Sequence, residues 1–241
     1  MSDYQTIAKD FVEHLALKYE PVGITLYKQS DPLPPEISNT QKDLKSYCQA
    51  LVLAGEGQHL LLKKEQMGCK LGTSVLGFEK EMDAYLDDGV LEKYGVGLFG
   101  NEDASARTIL DSTYLEKGKT EAAHLAPLSI FTEKPQVVVF TANSQQVMWL
   151  LYADNYEKGG KMDLPQSGGA LGGCADITAL PLLTGETNIT FLGLGCRIKA
   201  DIDACHLMLG INAERLETIH RHLLGMAKPI AMLNKQQAVS G

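Results

Sequence analysis

The sequence predicts a single α+β domain in which helices alternate irregularly with the strands of a mixed or antiparallel sheet. Three observations carry this. Short apolar or alternating runs at 22–27, 59–62 and 136–141 have strand character, and helical-period segments lie between them. The spacing lacks the even strand–helix rhythm of a doubly wound parallel sheet. The 241 residues, 44% hydrophobic and 22% charged, suffice for one sizeable core.

Ser2-Asp3-Tyr4-Gln5 has capping-box spacing, and Ile7, Phe11 and Leu15 follow on one helical face. This helix must stop before Pro21, and Val22–Tyr27 reads as a strand. Asp31-Pro32-Leu33-Pro34-Pro35 is a stiff surface loop, too short to separate domains. Leu44, Tyr47, Cys48, Leu51 and Val52 keep helical spacing up to Gly55-Glu56-Gly57, and His59–Leu62 reads as a buried strand. Gly68-Cys69 opens a short segment with Leu71, Val75 and Leu76 on one side. The polar stretch from Glu79 to Lys119 is expected to be helical around Met82, Leu86 and Ala104–Leu115, with a turn marked by Gly95, Gly97 and Gly100.

Gln136–Thr141 is the clearest strand, and Asn143 can cap the helix containing Val147, Trp149, Leu150 and Leu151. A glycine-rich loop leads into Cys174, with Ile177, Leu180, Leu182 and Leu183 beyond it. Asn188–Leu194 and His206–Gly210 suggest an antiparallel pair, and Cys205 is placed as a packing residue in a strand over Ala204–Leu209. A last helix starts at Asn212, with Ile211 and Leu216 placed for a hydrophobic staple. The domain is thus expected to span 1–228, with 229–241 a poorly anchored tail. Asn143–Gln146 with Gly173-Cys174 faintly echoes Ser46–Gln49 with Gly68-Cys69, a weak sign of internal duplication.

The net charge of −8 and the lack of a basic cluster with interleaved aromatics argue against nucleic acid as a partner. No secretory leader is legible, and apolar runs such as Val147–Tyr152 are far shorter than a membrane span of ~20 residues. The expected compartment is the cytoplasm, where thiols stay reduced, so the five cysteines are read as packing residues, reactive thiols or metal ligands rather than disulfides.

Glycine directly precedes Cys69, Cys174 and Cys196, and Cys48 stands 21 positions before Cys69 much as Cys174 stands 22 before Cys196. A residue without a Cβ lets the backbone approach a bulky group, and a helix start beyond a cysteine favours its thiolate. Four thiolates can complete a closed site for an iron–sulfur cluster or zinc. None of the spacings is the close C-x2-C pair of a strong metal signature, and buried cysteine often only packs, so inert core cysteines remain the competing reading.

Tyr47-Cys48-Gln49, Gly68-Cys69 with Leu76-Gly77, Ser167-Gly168-Gly169 before Gly173-Cys174, and Gly195-Cys196-Arg197 occur in this order. Together they resemble the ArCR family of archaea and anaerobic bacteria, catalogued as domain of unknown function 169. The resemblance runs from Tyr19 to Leu224 and implies that Cys48, Cys69, Cys174 and Cys196 are characteristic positions; it brings no activity with it.

Other features are weaker. Ser167–Gly173 resembles an anion nest but lacks a Walker ending, which favours a loop shaping the approach to Cys174. Arg197 can pair with a cluster, a thiolate or an anionic ligand, or with a surface carboxylate. His59, His124 and His206 read as ordinary packed or surface residues, and His220 and His222 point different ways. No serine triad or zinc-protease motif is present, and no reaction is assigned. The leading expectation is a redox or electron-transfer protein with an iron–sulfur cluster, or zinc, on the four cysteines. Gly68, Gly168, Gly169, Gly173, Gly195 and Arg197 would line the cofactor. The alternatives are a small-molecule or tetrapyrrole-binding protein and a thiol–disulfide protein. The expected partner is a redox protein or a small ligand.

Overall fold

A computed structural model describes residues 3–34, 46–79 and 97–240. Pro35, Leu44, Met82, Leu86 and Gly95, named in the expectations above, lie outside the described residues. Helix α1 (Tyr4–Leu15) is capped by Asp3, whose carboxylate accepts from the Thr6 N–H at 3.2 Å, one residue later than the predicted start. It ends well before Pro21 because Ala16 turns left-handed (φ 51°). The amide of Gln146 then donates to the Leu15 and Ala16 carbonyls at 3.0 and 2.9 Å, satisfying groups that the helix leaves unpaired.

Strands β1 (Val22–Lys28), β2 (Leu60–Leu62), β3 (Thr120–Pro127), β4 (Val137–Asn143), β5 (Asn188–Thr190) and β6 (His206–Asn212) form one sheet in the order β2-β3-β1-β4-β6-β5. Every pairing is antiparallel. Ile24, Leu26, Leu125, Val137, Val139 and Met208 face one core. Val138, Phe140, Leu207, Leu209 and Ile211 face the other. Burial on both faces is why β1 and β4 read as nearly continuous apolar runs rather than clean alternations.

The first core lies under α2 (Tyr47–Gly55), α3 (Lys70–Val75) and a π-helix over Gly172–Ala179. The second holds residues of α1, of α5 (Ser144–Asp154) and of α8 (Leu216–Gly225). Ser46 caps α2, and Asn143 caps α5 in a box closed by Gln146. These two capped helices, the halves of the faint internal echo, pack on opposite faces of the sheet.

Elsewhere the structure redraws the expected elements. Strand β3 has no sequence signal, since Thr-Glu-Ala-Ala-His-Leu-Ala-Pro is poor in β-branched residues. It nevertheless pairs with β1 from Val22↔Pro127 to Lys28↔Thr120 and with β2 on its other side. The helix expected over 104–115 is α4 (Glu102–Leu110), capped by Asn101. The strand expected over 188–194 stops at Thr190; Leu192 turns left-handed (φ 63°), and α7 (Leu194–Ala200) follows. Helix α6 (Leu180–Thr184) continues the π-helix. Asn212 caps a 3-10 turn ahead of α8. Cys205 is exposed one residue before β6, so it is not a packing residue inside a strand. The expected tail begins within α9 (Ala227–Ser240), where Ile230 is buried in the second core.

A polar cluster sits at the β2–β3–β1 end. His59 Nε2 and His124 Nε2 are 2.7 Å apart, His124 Nδ1 meets Glu133 Oε1 at 3.1 Å, and the Tyr27 hydroxyl donates to the same oxygen. Desolvation holds the pKa of both histidines below the ordinary 6.5. The unfolded chain therefore binds more protons, and stability is complete above pH 6.5 and declines as pH falls below it. Urea titrations across this range are expected to show a shallower acid decline for His124→Gln than for the parent.

At the other end, a Cβ on Gly210 of β6 would collide with the Ile177 carbonyl of the π-helix, which cannot yield as a side-chain tip can. Gly210→Ala is expected to cost about 3 kcal/mol in urea unfolding, the upper part of the overpacking range.

Candidate functional site

The four predicted ligands come from four helix starts. Cys48 is the second residue of α2, Cys69 is the cap of α3, Cys174 is the third residue of the π-helix and Cys196 is the third of α7. First-turn N–H groups lack helical partners, so this placement aims donors at sulfur. Cys48 and Cys174 belong to the first core and Cys196 packs against it. Cys48 and Cys196 are near enough to shift each other's thiols in opposite directions, and both Cys69 and Cys174 lie within electrostatic reach of Cys48.

The environments push the thiols apart. Cys196, half-buried at the rim, is lowered from 9.0 to about 7, first by the hydrogen bond from Cys48 and further by the main-chain N–H groups of Gly193 and Gly173. Cys48 is pushed well above the usual thiol range by that same bond and by burial. Burial raises Cys174 as well, helped by the neighbouring Cys69 and Cys196, and its thiol donates to the Leu171 carbonyl at 3.4 Å.

Close approach at glycine makes this convergence geometrically feasible. A Cβ on Gly173 would lie 2.5 Å from Cys48 Sγ, and one on Gly172 would strike the Thr190 hydroxyl. A Cβ on Gly193 would strike the Gly169 carbonyl, so the two loops that carry Cys174 and Cys196 run against each other. Leu171 and Leu192, both buried and both at φ 63°, turn the chain into those loops. Left-handed leucine costs on the order of 1–3 kcal/mol each, and π-helices are rare and favour functional sites. Thr178 fixes the segment by donating to the Gly173 carbonyl at 2.8 Å and contacting the Tyr47 hydroxyl at 3.2 Å. Asp176 accepts from the Ser167 N–H and hydroxyl at 3.0 and 2.6 Å and from Thr190 at 3.1 Å; its burial raises its pKa.

The expected cofactor-lining residues divide. Gly173 contacts the centre directly. Gly169, at φ 93°, belongs to the crossing loops. Gly68 is exposed, and added Cβ atoms on Gly168 and Gly195 would meet open space. Arg197 donates to the main-chain carbonyls of Phe191 and His206 at 2.8 and 2.7 Å, with a longer contact to Asp203 O at 3.4 Å; it clamps the loop after β5 rather than meeting a thiolate or a carboxylate. Sequence reasoning missed Gly193, Leu171, Leu192, Asp176 and Thr190. Of these, only Gly193-x-Gly195 carries a local signal, and it is too short to mark a site. Among the described residues, no group of three or more histidine, cysteine, aspartate or glutamate side chains stands close enough together to hold a single metal ion.

The fold and site define a two-faced antiparallel α+β protein with four of its cysteines at helix starts. The chain belongs to the uncharacterised ArCR family, DUF169, whose profile matches residues 10–222. It is also similar to the uncharacterized protein MJ0308 of Methanocaldococcus jannaschii, 26% identical over 213 residues that cover 88% of this chain and 90% of that one. No solved structure matches the chain significantly. Among the described residues, no helix is long and apolar enough to cross a membrane.

Two tests follow from the thiol geometry. In metal-free protein carrying Cys205→Ser, iodoacetamide labelling of Cys196 is expected to rise with a midpoint at about pH 7. Cys48→Ala removes the donor that stabilises the Cys196 thiolate, so its midpoint should move up towards 9.0.

Proposed function

We propose that Cys48, Cys69, Cys174 and Cys196 hold an iron–sulfur cluster and that the protein serves electron transfer or redox support. The observation that carries this reading is that cysteines from four separate helix starts come within electrostatic reach of one another, with Cys48 and Cys174 in one dry core and Cys196 packed against it. A single tetrahedral zinc with bonds of ~2.3 Å needs its sulfurs about 3.8 Å apart. An iron–sulfur cluster takes its cysteine sulfurs around several irons, so its ligands need not converge so tightly on one point.

The donor chemistry fits such a group. Thiolate is its usual ligand, and the Gly173 and Gly193 N–H groups supply the sulfur-directed hydrogen bonds that tune its potential. When bound, the cluster would accept and release single electrons. The protein's part is to exclude water with Leu51, Leu171 and Leu192, and to fix the sulfurs through helix starts and close glycine contacts. Binding requires the Cys48–Cys196 hydrogen bond to part, and α7 at the rim is the element placed to yield.

A second reading has its own support. A half-buried Cys196 with its pKa at about 7, bonded to a neutral buried Cys48, is also the arrangement of a nucleophilic thiolate beside its resolving thiol. Iron, zinc and acid-labile sulfide analysis with a visible spectrum, on protein purified without oxygen, separates the readings. A cluster predicts brown protein whose iron and sulfide are lost in Cys69→Ala and Cys174→Ala and retained in Cys205→Ser. Colourless, metal-free, folded protein whose free-thiol count falls by two on mild oxidation would replace the cluster with the dithiol.

A further inference from the structure

A second cavity lies away from the cysteines, in a cleft of about 500 Å³ between α4 with its following turn and the loop over 165–168. Its lining mixes polar and apolar groups, with Arg107, Asp111, Thr113, Gln166 and Ser167 beside Phe99. The floor is built from buried or half-buried groups that already satisfy one another. Ser112 Oγ donates to Ser167 Oγ at 3.1 Å, and Ser167 Oγ donates to Asp176 at 2.6 Å.

The walls differ from the floor. The side chains of Arg107 and Asp111 are exposed and make no hydrogen bond or ion pair among the described residues, although both line the cleft. They stand four residues apart at the end of α4, where opposite charges are close enough to pair. The cation precedes the anion, which is the poorer order for pairing across one helical turn. The cleft therefore presents one free positive and one free negative group side by side above hydroxyl-bearing walls. An anionic ligand alone would meet Asp111, and a cationic ligand alone would meet Arg107. A ligand with both charges on adjacent atoms satisfies the two.

We propose that this cleft binds a small zwitterion of the α-amino-acid type. Its carboxylate lies on the Arg107 guanidinium in the forked geometry that suits this pair, and its ammonium lies on Asp111. Its side chain extends towards Thr113 and Gln166. The cleft also touches the cysteine centre through the protein. Asp176, which holds Ser167, accepts from Thr190 at 3.1 Å, and the Thr190 hydroxyl lies against Gly172, beside Gly173 and Cys48 Sγ. No cysteine lines the cleft.

The test is calorimetric titration of the purified protein with each standard α-amino acid, and with succinate and ethanolamine as carriers of one kind of charge. At least one amino acid is expected to bind, and more tightly than either control. Arg107→Gln and Asp111→Asn should each weaken it by about tenfold, the scale of one charge-assisted contact, while Arg107→Lys retains part of the affinity. Both positions are exposed, so unchanged urea midpoints are expected to show that the variants fold. Absence of heat with every amino acid, binding of succinate or ethanolamine as tight as the best amino acid, or affinity unchanged in both charge-neutralised variants would overturn the proposal.

Discussion

The close approach of the Gly172-Gly173 backbone to its neighbours is the constraint on which the cysteine centre depends. Two missing Cβ atoms let the start of the π-helix lie against the Thr190 hydroxyl on one side and the Cys48 sulfur on the other. A side chain at either position would push the π-helix away from α2 or β5 and separate Cys174 from Cys48. Gly210 does the corresponding service further along, where β6 passes under the Ile177 carbonyl. The left-handed leucines at 171 and 192 are held in place by these contacts, because each is buried where its alternative conformations would leave a gap in the core.

Around that point the sheet sorts the chemistry by face. Six antiparallel strands with apolar residues on both sides keep water from the α2 and π-helix face, where Cys48 and Cys174 stay protonated. Cys196 reaches the same spot from the rim, where the Cys48 thiol, helped by the Gly193 and Gly173 N–H groups, lowers its pKa against desolvation. One small volume thus holds thiols of opposite tendency, an asymmetry that burial and hydrogen-bond direction create, with a smaller contribution from Lys199 at Cys196. The cleft above α4 is joined to this region by Asp176, whose two oxygens tie the 165–168 loop to β5. The cleft and the cysteine-bearing segment thus share a single buried carboxylate as their common support.

What the chain could reveal unaided followed from local rules. Period and capping marked β1, β4, α1, α2 and α5, since a buried strand and a capped amphipathic helix each leave a pattern within ten residues or so. The motif order from Tyr47 to Arg197 disclosed the family. Strand β3 escaped because its alanines are chosen by the space beside β1 and not by strand preference, and space is invisible in a propensity. Arg197 was misplaced for a similar reason: three carbonyls brought together by the turn after β5 and the start of β6 claim its guanidinium.

The sequence by itself determined the α+β class, the capped helices and the central strands, and it singled out Cys48, Cys69, Cys174 and Cys196 as candidates. Only the tertiary structure decided that residues as far apart as Cys48 and Cys196 shift each other's thiols, that Gly173 rather than Gly68 or Gly195 makes the room, and that Arg107 and Asp111 line one cleft with no ion pair among the described residues. Helix and strand signals arise from neighbours along the chain. Desolvation, sulfur–sulfur proximity and the clearance around a missing Cβ arise from neighbours in space, set by packing that no local pattern records.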